Sequence, residues 1–114
     1  MKTQEQQKAE LLDNLVEKHR GPMFNAVNFS NDVFMSYDAI TTQKPLSADP
    51  FANEVFSTRV WNVLNDHFYG NSIELRLSEC PRIKTLIGKR NFGYKSQMEY
   101  ISVMKEYSFE NKLQ

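Results

Sequence analysis

Between Arg82 and Lys95 the sequence carries five bases, Arg82, Lys84, Lys89, Arg90 and Lys95, and no acid. Cations gathered without counter-charges attract anions, and a run of this kind is the electrostatic footprint of a nucleic-acid binder. It also describes the solvated face of a loop or helix, so by itself it does not decide between the two. The run belongs to a chain of zero net charge, with 14 Lys and Arg against 14 Asp and Glu. The imbalance is local: residues 1–50 hold five bases and seven acids, whereas residues 51–114 hold nine bases and seven acids.

Other chemistries lack their residues. The sequence contains no phosphate-cradling Walker loop, no Gly-x-Ser-x-Gly elbow, no His/Cys ligand set and no acid pair in a recognisable setting. A non-catalytic protein without cofactor or metal is expected. Cys80 is the sole cysteine, which excludes an internal disulfide and a Cys-based zinc site and fits a reducing cytosol. No base adjoins it in sequence to activate it, so it reads as a packed thiol. His19 and His67 are far apart in sequence, and His67 reads as a surface residue at a helix end. Trp61 suits a core or edge anchor better than a stacking platform. No apolar run approaches the ~18 residues of a membrane span. The first eight residues are polar and mixed in charge, unlike a signal peptide. A cytoplasmic protein with no membrane association is expected.

These side chains must be positioned by helices. Thr3 and Gln6 have capping-box spacing ahead of a helix over residues 4–19, with Leu11, Leu12, Leu15 and Val16 on one stripe. Lys18, His19 and Arg20 suit its negative C-terminal end, and Gly21-Pro22 stops it. The stripe is narrow, so this helix must lean on the domain, a second copy or a partner. Ser30-Asn31-Asp32 is read as the cap of a short helix over 33–39. Residues 41–50 have linker composition, which places a boundary between a helical N-terminal extension, 1–48, and a compact unit, 49–114, expected to fold alone.

In that unit Ser57 or Thr58 opens a helix to about Phe68, with Val60, Val63, Leu64 and Phe68 inward. Ser72 is read as the cap of a helix over 73–77. Pro81 precedes a short helix over 82–87. Residues 88–93 make a tight connection, and a longer helix over 94–107 turns Met98, Ile101 and Met104 to the core. The whole is an all-α bundle of short helices on a core suited to one domain of 114 residues.

Two blocks, Phe56-Ser57-Thr58-Arg59-Val60-Trp61-Asn62-Val63-Leu64 and Arg90-Asn91-Phe92-Gly93-Tyr94-Lys95-Ser96, occur in this order over roughly residues 50–110. Their order and separation resemble the C-terminal domain of the bacterial RNA polymerase α subunit. That family opens its first regular helix with Ser/Thr-Val-Arg-x-x-Asn-x-Leu and leads into its last through Asn-Leu/Phe-Gly-Lys-Lys-Ser. The resemblance implies tandem helix–hairpin–helix-like units that meet duplex DNA through the minor groove and backbone. It implies groove-facing roles for Arg59 and Asn62 and a hairpin turn at Asn91 and Gly93. It also implies a DNA-facing start of the last helix at Lys95, Ser96 and Glu99. Lys89 and Arg90 add charge beside them. The sequence departs from the pattern at Val63, at Tyr94, which stands for a lysine, and at Gln97, which stands for a leucine.

The physical chemistry of these residues agrees with such a role. Glycine permits close backbone approach, helix N-termini favour anions, and arginine enters narrow A·T-rich minor grooves. Each position also has a plainer reading: Arg59 pairing with Glu54, and Asn91 as an ordinary turn residue. The first 50 residues are too few for the polymerase subunit's assembly domain, so the resemblance implies a stand-alone protein. An alternative function is a protein-interaction module that imitates the polymerase domain and binds sigma factor, an activator or RNA polymerase itself.

Overall fold

The computed structural model describes residues 3–22, 24–37, 49–70 and 74–113. The first helix, α1, runs Gln4–His19 behind a complete capping box, the Thr3 hydroxyl accepting from the Gln6 N–H and the Gln6 side chain from the Thr3 N–H. Helix α2 spans Ala26–Ser36 and is capped by Asn25, whose Oδ1 accepts the Asn28 N–H at 3.0 Å. It therefore begins seven residues before the helix read at Val33. Ser30 lies inside it, buried, with Phe29 and Val33 on the same stripe. The proposed continuation to residue 39 lies partly outside the described residues.

The remaining helices are α3, Ala52–Val55; α4, Thr58–His67; α5, Ile83–Leu86; and α6, Tyr94–Glu106. Short 3-10 turns follow at Leu77–Glu79 and Glu110–Leu113. Of the two candidate caps for α4, Ser57 is the one used, its Oγ accepting the Val60 N–H. The helix expected over 73–77 is not formed in its described part. Arg76 is extended and makes an isolated antiparallel bridge to Phe51, with Ala52 N–H donating to the Leu75 carbonyl and Leu77 N–H to that of Pro50. Among the described residues no strand forms, so the fold is all-α.

Helix α6 is the axis of the molecule. Nine consecutive or near-consecutive residues from Ser96 to Lys105 are buried, although four are polar: Ser96, Gln97, Ser102 and Lys105. A helix buried all round must give each polar group a partner, because an unpaired buried group costs about 1–3 kcal/mol. Each has one. Ser96 Oγ donates to the Asn91 carbonyl, and Gln97 Oε1 accepts from Ser30 Oγ. Ser102 Oγ accepts from Lys8 Nζ, and Lys105 Nζ donates to the Phe34 carbonyl at 2.7 Å. Three of these four partners belong to α1 and α2.

The extension and the rest of the chain thus share one core, with Leu15, Phe29, Val33 and Tyr37 packed among Val60, Leu64, Ile101 and Met104. The support that α1 needs for its narrow stripe is supplied within the chain. Its C-terminal end is fastened to α2 where Asp32 Oδ2 meets His19 Nε2 at 2.6 Å and Lys18 Nζ at 3.1 Å. These contacts hold the Asp32 carboxyl below the usual carboxylate range, the His19 hydrogen bond more than that of Lys18.

Candidate nucleic-acid interface

Helix α4 has one apolar side, Val60, Val63 and Leu64, buried in the core. The 3.6-residue period then sends Arg59 and Asn62 outward together, and both are exposed. Opposite them lies the turn between α5 and α6. Gly88 and Asn91 adopt positive φ, 94° and 69°, which lets the chain reverse within a few residues; asparagine tolerates this conformation better than most side chains. The reversal brings Asn91 against α4, so that Arg59, Asn62 and Asn91 line one open cleft of about 330 Å³. A neighbouring cleft of about 200 Å³ is lined by Val63, Asp66 and His67 from α4 and by Lys89 and Arg90 from the turn. Two sequence blocks some thirty residues apart therefore line the same pair of clefts.

Helix α6 holds both sides of these clefts from beneath. Ser96 is 1% exposed and bonds the Asn91 carbonyl. Glu99 Oε2 accepts the Ser57 N–H at 2.7 Å, satisfying a backbone donor at the start of α4. Tyr100 stacks on Phe56, ring centroids 5.3 Å apart, and meets the edge of Phe92 at 6.0 Å. Its hydroxyl donates to the Pro81 carbonyl. Ser96 and Glu99 were expected to face DNA. The Ser96 hydroxyl is occupied and enclosed, whereas Glu99 is half-exposed and one of its carboxylate oxygens accepts the Ser57 N–H. Ser96 thereby ties the turn carrying Asn91 to α6, and Glu99 ties the start of α4 to it.

Gly93 precedes α6 at φ −93° and is exposed, and a Cβ built there would meet nothing within 4 Å. The backbone is therefore open to close approach at this point. Lys95 is exposed but stands apart from the α4 clefts. It lines a third, more apolar cleft of about 410 Å³ with Leu12, Asp13, Val16, Glu17, Arg20 and Tyr94. Asp13 and Glu17 of α1 share that space with a second cation, Arg20, which pairs with Glu17 at 3.6 Å.

Two departures from the resembled pattern have a visible cause. Tyr94 packs its ring against Phe29 and Phe24 at 4.9 and 5.0 Å, and Gln97 bonds Ser30. Both residues receive α2. The third, Val63, is buried at the base of the cationic cleft.

Trp61 is half-buried against the core, as an anchor. Cys80 is buried and its thiol is pushed up to about 12 by burial, which leaves it unreactive at neutral pH. His67, read from the sequence as a surface residue, is a lining residue of the cationic cleft. Its only local signal was its place near Asp66 at a helix end; the approach of Lys89 and Arg90 is a product of the fold. No helix among the described residues is long and apolar enough to cross a membrane. No protein-family model, curated protein or solved structure matches the chain.

Proposed function

We propose that this is a non-catalytic, transcription-related protein that binds duplex DNA in the cytoplasm, through the minor groove and phosphate backbone of A·T-rich sequence. The observation that carries this reading is the convergence of Arg59, Asn62 and Asn91 on one cleft, with Lys89 and Arg90 lining the next. An exposed arginine flanked by amide side chains suits a narrow groove, where A·T tracts concentrate negative potential. Lys89 and Arg90, side by side in the next cleft, suit a phosphate strand that borders the groove. The resemblance to the polymerase α C-terminal domain assigns the same face the same role.

The test is a binding titration of A·T-rich and G·C-rich duplexes at two salt concentrations. Preference for the A·T duplex, with affinity falling as salt rises by a slope of a few released ions, is the expected result. A folded protein that binds neither duplex at low salt overturns the reading.

A second reading, a module that binds sigma factor, an activator or RNA polymerase, draws on a different surface. Val27 and Met35 on α2 are exposed, Met35 at 66%, and they line a cleft with Phe34, Lys84 and Leu113. Exposed apolar groups gathered on one face are a common mark of protein contacts. Tight binding to a polymerase component in the absence of DNA binding would favour it.

A further inference from the structure

The cleft between the end of α4 and the 88–91 turn gathers three side chains able to carry positive charge, His67, Lys89 and Arg90, around one volume of about 200 Å³. One carboxylate, Asp66, shares the cleft, and Val63 lies buried at its base. The imidazole is held in place by an edge-on contact with the Phe68 ring, centroids 4.8 Å apart at 84°. It also sits in the last turn of α4, where the helix dipole favours a cation. Lys89 and Arg90 come from a turn whose shape is fixed by Gly88 and Asn91 at positive φ and by the Ser96 bond to the Asn91 carbonyl. The cleft is thus built from two elements locked to the same central helix.

We infer that this cleft seats one phosphate of the DNA backbone, with His67 as its third cationic donor beside Lys89 and Arg90. The inference rests on the DNA-binding reading and adds to it a residue and a regulation. A phosphodiester carries a negative charge and two non-bridging oxygens, each able to accept more than one hydrogen bond, which suits cationic N–H donors that line one cleft. The carboxylate of Asp66 opposes the anion, and two permanent cations outweigh it only by one charge. The charge state of His67 therefore sets how strongly the cleft attracts phosphate. Imidazole is the side chain whose charge changes between pH 5 and 8. A phosphate seated against it is bound more strongly by the protonated ring, so DNA binding takes up a proton and tightens as pH falls.

The experiment is a fluorescence-anisotropy titration of one A·T-rich duplex at pH 6 and pH 8, at matched ionic strength, with the full-length chain and with His67→Gln and His67→Ala. Circular dichroism checks that both variants fold. The parent is expected to bind roughly three- to tenfold more tightly at pH 6, the scale of one linked protonation. Both variants are expected to bind equally at the two pH values, close to the parent at pH 8. A salt series at pH 6 should show a slope shallower by about one ion in the variants. His19 is present in all three proteins, so any contribution from it cancels in the comparison.

DNA binding by the parent without pH dependence, or pH dependence that survives in both variants, removes His67 from the interface while leaving the DNA-binding reading in place. Failure of the folded parent to bind the duplex at either pH overturns that reading and the phosphate seat together.

Discussion

At the scale of single residues, Arg59 and Lys95 separate two kinds of exposed cation. Both were assigned to DNA by the same resemblance, yet their surroundings differ. Arg59 opens onto a cleft shared with two amides, Asn62 and Asn91. Lys95 opens onto one shared with Asp13 and Glu17. Arg59→Ala is expected to cost about 1–3 kcal/mol of binding, the scale of one good groove contact, and to flatten the A·T preference. Lys95→Ala is expected to cost less than Arg59→Ala and to weaken both duplexes equally, because it stands apart from the clefts that α4 lines. Parallel titrations of both variants on the two duplexes read the difference, and a larger loss at Lys95 would move the interface toward α1. Asp32 offers a second residue-scale test, on stability. Its pKa is lowered in the folded state by His19 and then Lys18. Its stabilising contribution is therefore full above the ordinary carboxylate value of 3.8 and is lost as pH falls through the lower folded value. Asp32→Asn should be less stable at pH 7 by about 0.5 kcal/mol, the discounted scale of a partly exposed pair. Thermal melts should show that difference shrinking as pH falls below 3.8.

At the scale of elements, the end of α4 combines strain with exposure. Tyr69 follows the helix at φ 55° and is 93% exposed. Its N–H bonds the Asp66 carbonyl and that of Gly70 bonds Asn65, so the residue occupies a helix-terminating position usually given to glycine. A bulky side chain there costs about 1–2 kcal/mol, against about 0.5–1 kcal/mol for the extra unfolded-state freedom of glycine. Tyr69→Gly is therefore expected to stabilise the fold by about 0.5–1 kcal/mol, raising the melting temperature by a few degrees; a lower temperature would show that the ring packs in solution. Legibility divides along the same line between local and distant causes. Helices α1, α4, α5 and α6 were readable because Thr3, Ser57, Pro81 and Gly93 mark their starts within a few residues. The start of α2 is missed because Ser30-Asn31-Asp32 offers a plausible cap, whereas the cap in use is Asn25, which accepts the Asn28 N–H. The extended residues 75 and 76 escape the local pattern because their backbone partners, Ala52 and Phe51, are more than twenty residues away. The candidate site shows the same division: Arg59 and Asn62 were legible as a helical pair within a motif. His67 enters only through the turn that folds against it, and the burial of Ser96 follows from the inward face of α6.

At the scale of the whole molecule, the governing feature is that α6 is enclosed from two sides. The boundary near residue 48 predicts a fragment, 49–114, that folds by itself; the packing predicts otherwise. Removing the first 48 residues takes away Leu15, Phe29, Val33 and Tyr37, all buried. Each buried side chain of this kind contributes about 1.5–3 kcal/mol, and the four together match the roughly 5–15 kcal/mol by which a domain of this size is stable at all. The loss also strips Gln97, Ser102 and Lys105 of Ser30, Lys8 and the Phe34 carbonyl. Water can satisfy those groups, but the apolar core that α6 shares with α1 and α2 loses its members from those helices. The fragment is therefore expected to melt without cooperativity, or at least 20 °C below the full chain, a displacement that several kcal/mol implies for about a hundred residues. Calorimetry of the two proteins under the same buffer reads this directly. Asp32→Asn and Ser30→Ala in the full chain provide graded steps in the same direction, since each loosens α2 without deleting it. A fragment that melts sharply near the full chain's temperature would make α1 and α2 a detachable cover, and the apolar and polar complementarity of α6 with α2 would then serve docking rather than folding.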